Sequence, residues 1–491
     1  MALSLLSMFI GLLRDFLVVQ RLGFSIYADT VVMVLLIPTL LENVIGLVAK
    51  DAAASAFAKV ADRSRAEIQE FAARALILAV IVSVAISSAY VMSSEGLLSA
   101  LTPGWSSESR ESALVPFLLA SAIVFFQTLV YFFIGYESVN SGFLAAAIRP
   151  LVLGIAGVSA LVLSGEETAA LAYVVAQGAT LAGFSLYFCY GYQRAHLISL
   201  GNLKQSVPKV AALTSELVVV PAAILVVALQ QFPFLLERIV STSIGEGVPT
   251  LLSFVYRLVT VPQSLFVASI IAVYIPVILR ARRSNSARLK NHLVSHGMFM
   301  TVFFGILSMT SFIAFSRDLG YLLGLAGIAT VSVSASFQNV VLAYAVGLPA
   351  FFLSAYFIKI GIVLDCASKL VIPGLVAALL QSLFIWLFSG VLDAGGVALS
   401  SSIFFAIFCC LSAIGVRSSI SFRLPISRTL RVVCSCFIAC LTVMLMAPSS
   451  TVYSVVVKVC VYLSVFVIAM RIVGEQRLLQ PAFWQSVVKG K

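Results

Sequence analysis

Charged side chains stand in or at the edge of long apolar runs: Arg14, Asp15, Asp29, Glu42, Arg149, Arg257 and Lys458. An ionised group near the centre of a bilayer costs several kcal/mol unless it is paired or faces water. Two arrangements accommodate such groups: ion pairs that fix helix packing, or a hydrated polar cavity that a solute can enter. Both signs crowd into the same few runs, which favours a cavity for the group as a whole. For any single residue, pairing is the alternative. Arg14 and Asp15 are adjacent and point about 100° apart on a helix, so each is expected to meet water or a partner on another helix. Asp29 and Glu42 mark the two ends of one run, and Arg257 stands five residues before Pro262. Arg149 near a helix end could snorkel; Lys458 in the last run could snorkel or line a separate groove.

The elements carrying these charges are membrane helices. The chain is 61% hydrophobic and only 10% charged, with a mean hydropathy of +1.10. A soluble domain would carry roughly a quarter charged residues. Apolar runs of about 20 residues, enough to cross a ~30 Å hydrocarbon core, recur along the whole chain. Backbone groups in lipid must be satisfied internally, and continuous rather than alternating apolarity selects helices over barrel strands. About fourteen spans are expected, centred near Leu12, Leu36, Ile81, Phe125, Gly154, Ala182, Val226, Gln263, Phe304, Ala345, Val376, Phe405, Cys440 and Leu463. The first run lacks a preceding basic cluster and a small-residue cleavage site, and Arg14-Asp15 interrupts it. It reads as a retained helix rather than a signal peptide.

Loop charges orient the spans. With a cytoplasmic N-terminus, the basic residues of Lys50 to Arg74, Arg194 to Lys209, Arg280 to Lys290, Lys359 to Lys369, Arg417 to Arg431 and the C-terminal tail share one side. The other side holds Arg21, Arg110, Arg238 and Arg317 and most loop acids, Asp318 and Asp393 among them. This is a positive-inside pattern, with both termini cytoplasmic. It accounts for the net charge of +11 and makes a nucleic-acid partner unnecessary, because the cations are dispersed and match no binding motif.

Other chemistries find little support. No phosphate-cradling glycine loop, metalloprotease motif or nucleophile elbow is present, and the loops are too short to hide a soluble catalytic domain. An enzyme is not expected, nor a cofactor. The cysteines lie mostly within spans and lack metal-site spacing. His292 and His296 share a helix face without a nearby carboxylate, so no metal site is expected. The longest connection, Asp51 to Phe71, reads as a short amphipathic cytoplasmic helix. Pro38 and Pro262 each remove a backbone hydrogen bond from a span and favour a kink. If the chain is two six-helix halves, these breaks occupy matching places and point to a central site served by rocking of the halves.

Gly11-Leu12-Leu13-Arg14-Asp15, Gly23, Ala28-Asp29 and Pro38 resemble the N-terminal signature of the MurJ/MviN lipid II flippases, in the multidrug/oligosaccharidyl-lipid/polysaccharide exporter superfamily. The resemblance continues in order through Pro103-Gly104, Asn140, Phe143, Pro150, Arg257-Leu258 and Pro262. It extends to Leu342-Ala343-Tyr344-Ala345-Val346-Gly347-Leu348 and Tyr356. It implies an all-α fold: an N-terminal lobe over 1–200, a C-terminal lobe over 201–425, and two additional helices with a cytoplasmic tail over 426–491. It further implies an inner-membrane carrier alternating between inward-open and outward-open states, with a polyprenyl-diphosphate-linked saccharide as cargo. Arg14 and Arg257 match cationic cavity positions that would meet the diphosphate, and Asp29 an acidic one. Guanidinium can hold phosphate oxygens in a bidentate fork.

Departures from the family pattern are as informative. Met8 stands where an arginine is usual, Glu42-Asn43 where basic residues follow the proline segment, and Thr260 where an acid precedes the second proline. Asp15, Glu42 and Thr260 are therefore further cavity or ion-coupling candidates, with an ion or the membrane potential as the driving force. The altered charges leave room for an exopolysaccharide-type cargo in place of lipid II. A multidrug and toxin extrusion antiporter would prefer an acidic, aromatic cavity. A membrane-embedded polysaccharide polymerase or ligase would need a large outer loop that the chain lacks. Cell-envelope glycan synthesis proteins are the partners such a carrier would serve.

Overall fold

The computed structural model describes residues 2–46, 65–139, 144–194, 220–283, 287–327, 331–364, 366–417, 425–446 and 451–473. The expected amphipathic helix over Asp51 to Phe71 (most of it), the motif residues Asn140 and Phe143, and the expected cytoplasmic tail lie outside them. Helices dominate, and no strand occurs among the described residues.

The first span is α1 (Ala2–Leu22). It ends at Gly23, whose φ of 65° lets its N–H return to the Val19 carbonyl at 3.0 Å, a left-handed helix stop. The second span comes in three pieces: α2 (Ile26–Val34), α3 (Leu36–Leu41) and a π-helical turn over Glu42–Gly46. The break falls at Leu35. Pro38 has no N–H to offer the Val34 carbonyl, so the ladder lapses there. Next come α4 (Arg65–Met92), the short α5 (Ser94–Leu101), α6 (Ser107–Val139), α7 (Leu144–Leu163), α8 (Ala169–Arg194) and α9 (Val220–Ile244).

The later helices are α10 (Val248–Arg283), α11 (Ala287–Leu325), α12 (Val331–Val363), α13 (Ser368–Arg417), α14 (Ile426–Met444) and α15 (Val452–Ile472). Helix α13 has 50 residues, about 75 Å at 1.5 Å per residue, far more than one crossing requires. Asp393 divides it, with φ 47° and ψ −132°. Among the described residues, 11 helices are long and apolar enough to span a bilayer, and Ala147–Leu163 is a shorter apolar helix. Counting α13 twice and adding α1 and that shorter helix gives fourteen. Each expected span centre falls in its own helix or half-helix.

The chain forms two compact units, Met1–Leu251 and Leu252–Lys491. In the first, α6 packs against α4 and α8, and α7 against α1 and α8. Its core is aromatic: Phe133 stacks on Phe188 with centroids 5.3 Å apart, and Tyr90 on Phe117 at 4.9 Å. Offset stacking of this kind adds to the gain from burial. In the second unit, α12 lies between α11 and α13, while α14 packs on α11 and α15 on α14. Close helix approach there depends on Gly347. A Cβ added at Gly347 would stand 2.4 Å from Ser402 Oγ, and that hydroxyl donates to the Ala343 carbonyl at 2.6 Å. Small residues permit such backbone proximity where the hydrophobic effect between helices is weak.

Candidate functional site

Three polar groups form inside the first unit. Arg14 and Asp15, expected to seek separate partners, instead bond each other. Arg14 Nε and Nη2 donate to Asp15 Oδ1 at 2.8 and 2.5 Å. Helical neighbours have Cα atoms only ~3.8 Å apart, and the long arginine stem bends sideways across that gap. The reach to another helix is also made: Arg14 Nη1 donates to the Tyr173 hydroxyl of α8 at 2.9 Å. Three of the five guanidinium donors are thus used, and the side chain stays 21% exposed. Asp15 orients the fork, and free N–H groups remain for an anion.

The second group joins Glu42, Tyr131 and Arg149. Arg149 Nη1 donates to Glu42 Oε1 and to the Tyr131 hydroxyl, each at 2.9 Å. Tyr131 donates to the same Glu42 oxygen at 2.7 Å. The guanidinium carbon lies 4.4 Å from the Tyr131 ring centroid, within cation–π range. Arg149 therefore does not snorkel. It is 4% exposed, because a carboxylate, a hydroxyl and a ring replace the water it would otherwise seek. Arg149 stands on the fifth span, facing Glu42 from the second.

Asp29 is fully buried and holds the start of α10. Its carboxylate accepts from Gly247 N at 2.7 Å, Thr250 N at 3.0 Å and Thr250 Oγ1 at 2.7 Å. Glu246 reciprocates, accepting from Ile26 N at the start of α2 at 2.7 Å. Each carboxylate thus meets unpaired N–H groups at a helix N-terminus, where the dipole favours negative charge. Gly247 makes this possible: its φ is 79°, and a Cβ there would meet the Phe24 carbonyl oxygen at 2.4 Å. In this arrangement both Asp29 oxygens are engaged by backbone and hydroxyl donors.

In the second unit, α10 carries the remaining candidates. Arg257 is exposed, and Thr260 is buried with its hydroxyl on the Arg257 carbonyl at 3.1 Å. Pro262 lies within α10, which stays helical from Val248 to Arg283. The single lost hydrogen bond is absorbed without the break seen near Pro38. Lys458 neither snorkels nor lines a groove. Its ammonium donates to both oxygens of Asp318 at 2.9 and 3.1 Å, deep between α15 and α11. Asp318, expected in a loop, lies inside α11 and is 2% exposed. His296 bonds Tyr274, and no cluster of three metal-ligating side chains occurs among the described residues.

Residues 18–471 match the family model for the lipid II flippase MurJ. The chain belongs to the MurJ lipid II flippase family. A solved structure titled "Lipid II flippase MurJ, inward closed conformation" superposes with a TM-score of 0.81 at 19% identity, covering 97% of this chain and 98% of that one. An inward-facing multidrug resistance MATE transporter of the MOP superfamily gives 0.64 at 14% identity, over 84% and 94%. A MOP superfamily transporter from Pyrococcus furiosus, whose title reports reverse polarity of the binding pocket, gives 0.58 at 14%, over 88% and 94%. No curated protein sequence matches the chain. The MurJ family thus accounts for the fold, and its exporter relatives share that fold more loosely. Tyr131, Tyr173, Thr250 and Asp318 are partners that sequence reasoning missed. They are common residue types, far along the chain from the charges they serve.

Proposed function

We propose that this member of the MurJ family carries a polyprenyl-diphosphate-linked saccharide across the bacterial inner membrane by alternating access, with both termini cytoplasmic. The family match over 18–471 carries the reading. Arg14 supports it: the guanidinium is held by Asp15 and Tyr173 yet keeps exposed surface and unused donors. Arg257, exposed on α10, is the second cation for the diphosphate. The saccharide crosses through a hydrated interior while the polyprenyl tail stays in lipid. Glu42, whose carboxylate is partly exposed, is the acid available for ion coupling. No covalent chemistry is required, so the chain acts as a carrier rather than an enzyme. Its partners are the enzymes that build and consume the lipid-linked saccharide.

Rescue of cells depleted of their lipid II flippase tests the cargo. Growth and restored lipid II translocation are expected. Lack of rescue by well-expressed, membrane-inserted protein would overturn lipid II in favour of another lipid-linked glycan, a reading that Glu42 and Thr260 favour. Reconstituted flipping tests the site: Arg14→Ala and Arg257→Ala should each lose transport while still inserting. Full transport by both would remove the cationic assignment.

A further inference from the structure

The Glu42, Tyr131 and Arg149 cluster is saturated on one side and starved on the other. Arg149 Nη1 makes both of the guanidinium's hydrogen bonds. Arg149 Nε and Nη2 are buried and have no hydrogen-bond partner among the described residues. Stranding buried donors on a cation is costly, and such groups in a native fold call for an explanation. The Tyr131 ring covers part of one guanidinium face but accepts no bond in its plane. The carboxylate opposite is the accessible member, with the Glu42 side chain 30% exposed against 5% for Arg149. Glu42 also begins the π-helical turn, a rare geometry that recurs at functional sites.

We infer that Arg149 is a phosphate-binding group and that Glu42 is its resident counter-ion, displaced when phosphate arrives. A carboxylate offers the fork one oxygen here. A diphosphate offers several, and can engage Nη1 together with the stranded Nε and Nη2 in the bidentate manner guanidinium favours. The Tyr131 hydroxyl, released from Glu42, can donate to the same phosphate. The displaced Glu42 side chain moves toward the surface it already partly occupies. The ligand chemistry is a diphosphate esterified to a polyprenyl chain, in agreement with the cargo proposed above, on which the inference rests.

The test uses full-length detergent-purified protein, with farnesyl diphosphate as a soluble polyprenyl diphosphate and inorganic pyrophosphate as the tail-free control. Affinity and melting temperature are measured for wild type, Glu42→Gln, Arg149→Met and Arg149→Lys. Removing the competing carboxylate should tighten farnesyl diphosphate binding about tenfold, or about 1.4 kcal/mol. Arg149→Met should weaken it at least tenfold. Arg149→Lys, which keeps the charge without the fork, should fall between and guards against a misfolded Met variant. Both halves of a purely structural ion pair would shift affinity in the same direction, so opposite signs are the decisive outcome. Same-sign or absent shifts in a wild type that binds would overturn the inference alone. Wild type that binds no polyprenyl diphosphate would instead overturn the proposed cargo. Equal affinity for pyrophosphate and farnesyl diphosphate would assign the site to free phosphate rather than to a lipid headgroup.

Discussion

The Lys458 and Asp318 pair allows a quantitative test of how the last span is held. The two side chains keep only 7% and 3% of their surface, and the ammonium bonds both carboxylate oxygens at 2.9 and 3.1 Å. Asp318→Asn removes the counter-charge while preserving shape. The ammonium is then buried beside a neutral amide, a change that costs about 3–5 kcal/mol when one member of a buried pair is removed. For a unit of this size, roughly 2–4 °C of melting temperature corresponds to 1 kcal/mol, so a fall of about 6–20 °C is expected. Replacing both members, Asp318→Asn with Lys458→Met, removes the stranded charge and should recover most of that loss. The assay is thermal unfolding of detergent-purified protein by intrinsic fluorescence, completed as a double-mutant cycle with Lys458→Met. A single variant within about 2 °C of wild type, or a double variant no better than Asp318→Asn, would refute the reasoning. Loss of transport with an unchanged melting temperature would also refute it, by showing that the pair serves the cargo rather than the fold.

Further predictions follow from single contacts. Asp29→Ala should lower stability by about 1–3 kcal/mol, since it strips the bonds to Gly247 and Thr250 at a helix start. Limited proteolysis near Gly247 and a lowered melting temperature would check it, and unchanged protection would count against the capping role. Gly347→Ala should cost about 1–3 kcal/mol by overpacking α12 against Ser402. Pairing it with Ser402→Gly should restore monodisperse protein on size-exclusion chromatography. Tyr173→Phe should leave insertion intact but reduce transport less than Arg14→Ala, because the Asp15 bonds still hold the guanidinium.

The fourteen spans were legible because hydropathy is a local property, written into every run of about 20 residues. Pairing is different. Glu42 and Arg149 are 107 residues apart, and Lys458 and Asp318 are 140 apart. Nothing local in an apolar run says which distant helix will supply its counter-charge. Arg317-Asp318 resembled a loop for the same reason, since a charged doublet lowers a hydropathy window even where α11 continues past it. Arg14 and Asp15 failed in the opposite sense. Helical geometry fixes where their Cβ atoms point, but the flexible arginine stem decides where the fork ends.

The charges first grouped together on composition therefore separate by what their hydrogen bonds leave over. Asp29 has both oxygens occupied by helix-terminal donors, and Lys458 bonds both oxygens of a buried carboxylate. These two hold helices in place, and removing either should register in stability. Arg14 and Arg149 are also held, Arg14 by Asp15 and Tyr173 and Arg149 by Glu42 and Tyr131, but each keeps guanidinium donors that no partner among the described residues takes. A cation fixed in orientation with donors to spare is prepared to bind an anion, because the entropy of positioning it is already lost in the fold. The separation gives a rule with consequences in both directions. Variants of Asp29 and Lys458 should change melting temperature more than transport by the surviving protein, and variants of Arg14 and Arg149 should do the reverse. A charge that crossed between these classes would show that spare hydrogen-bonding capacity is the wrong measure of function in this membrane interior.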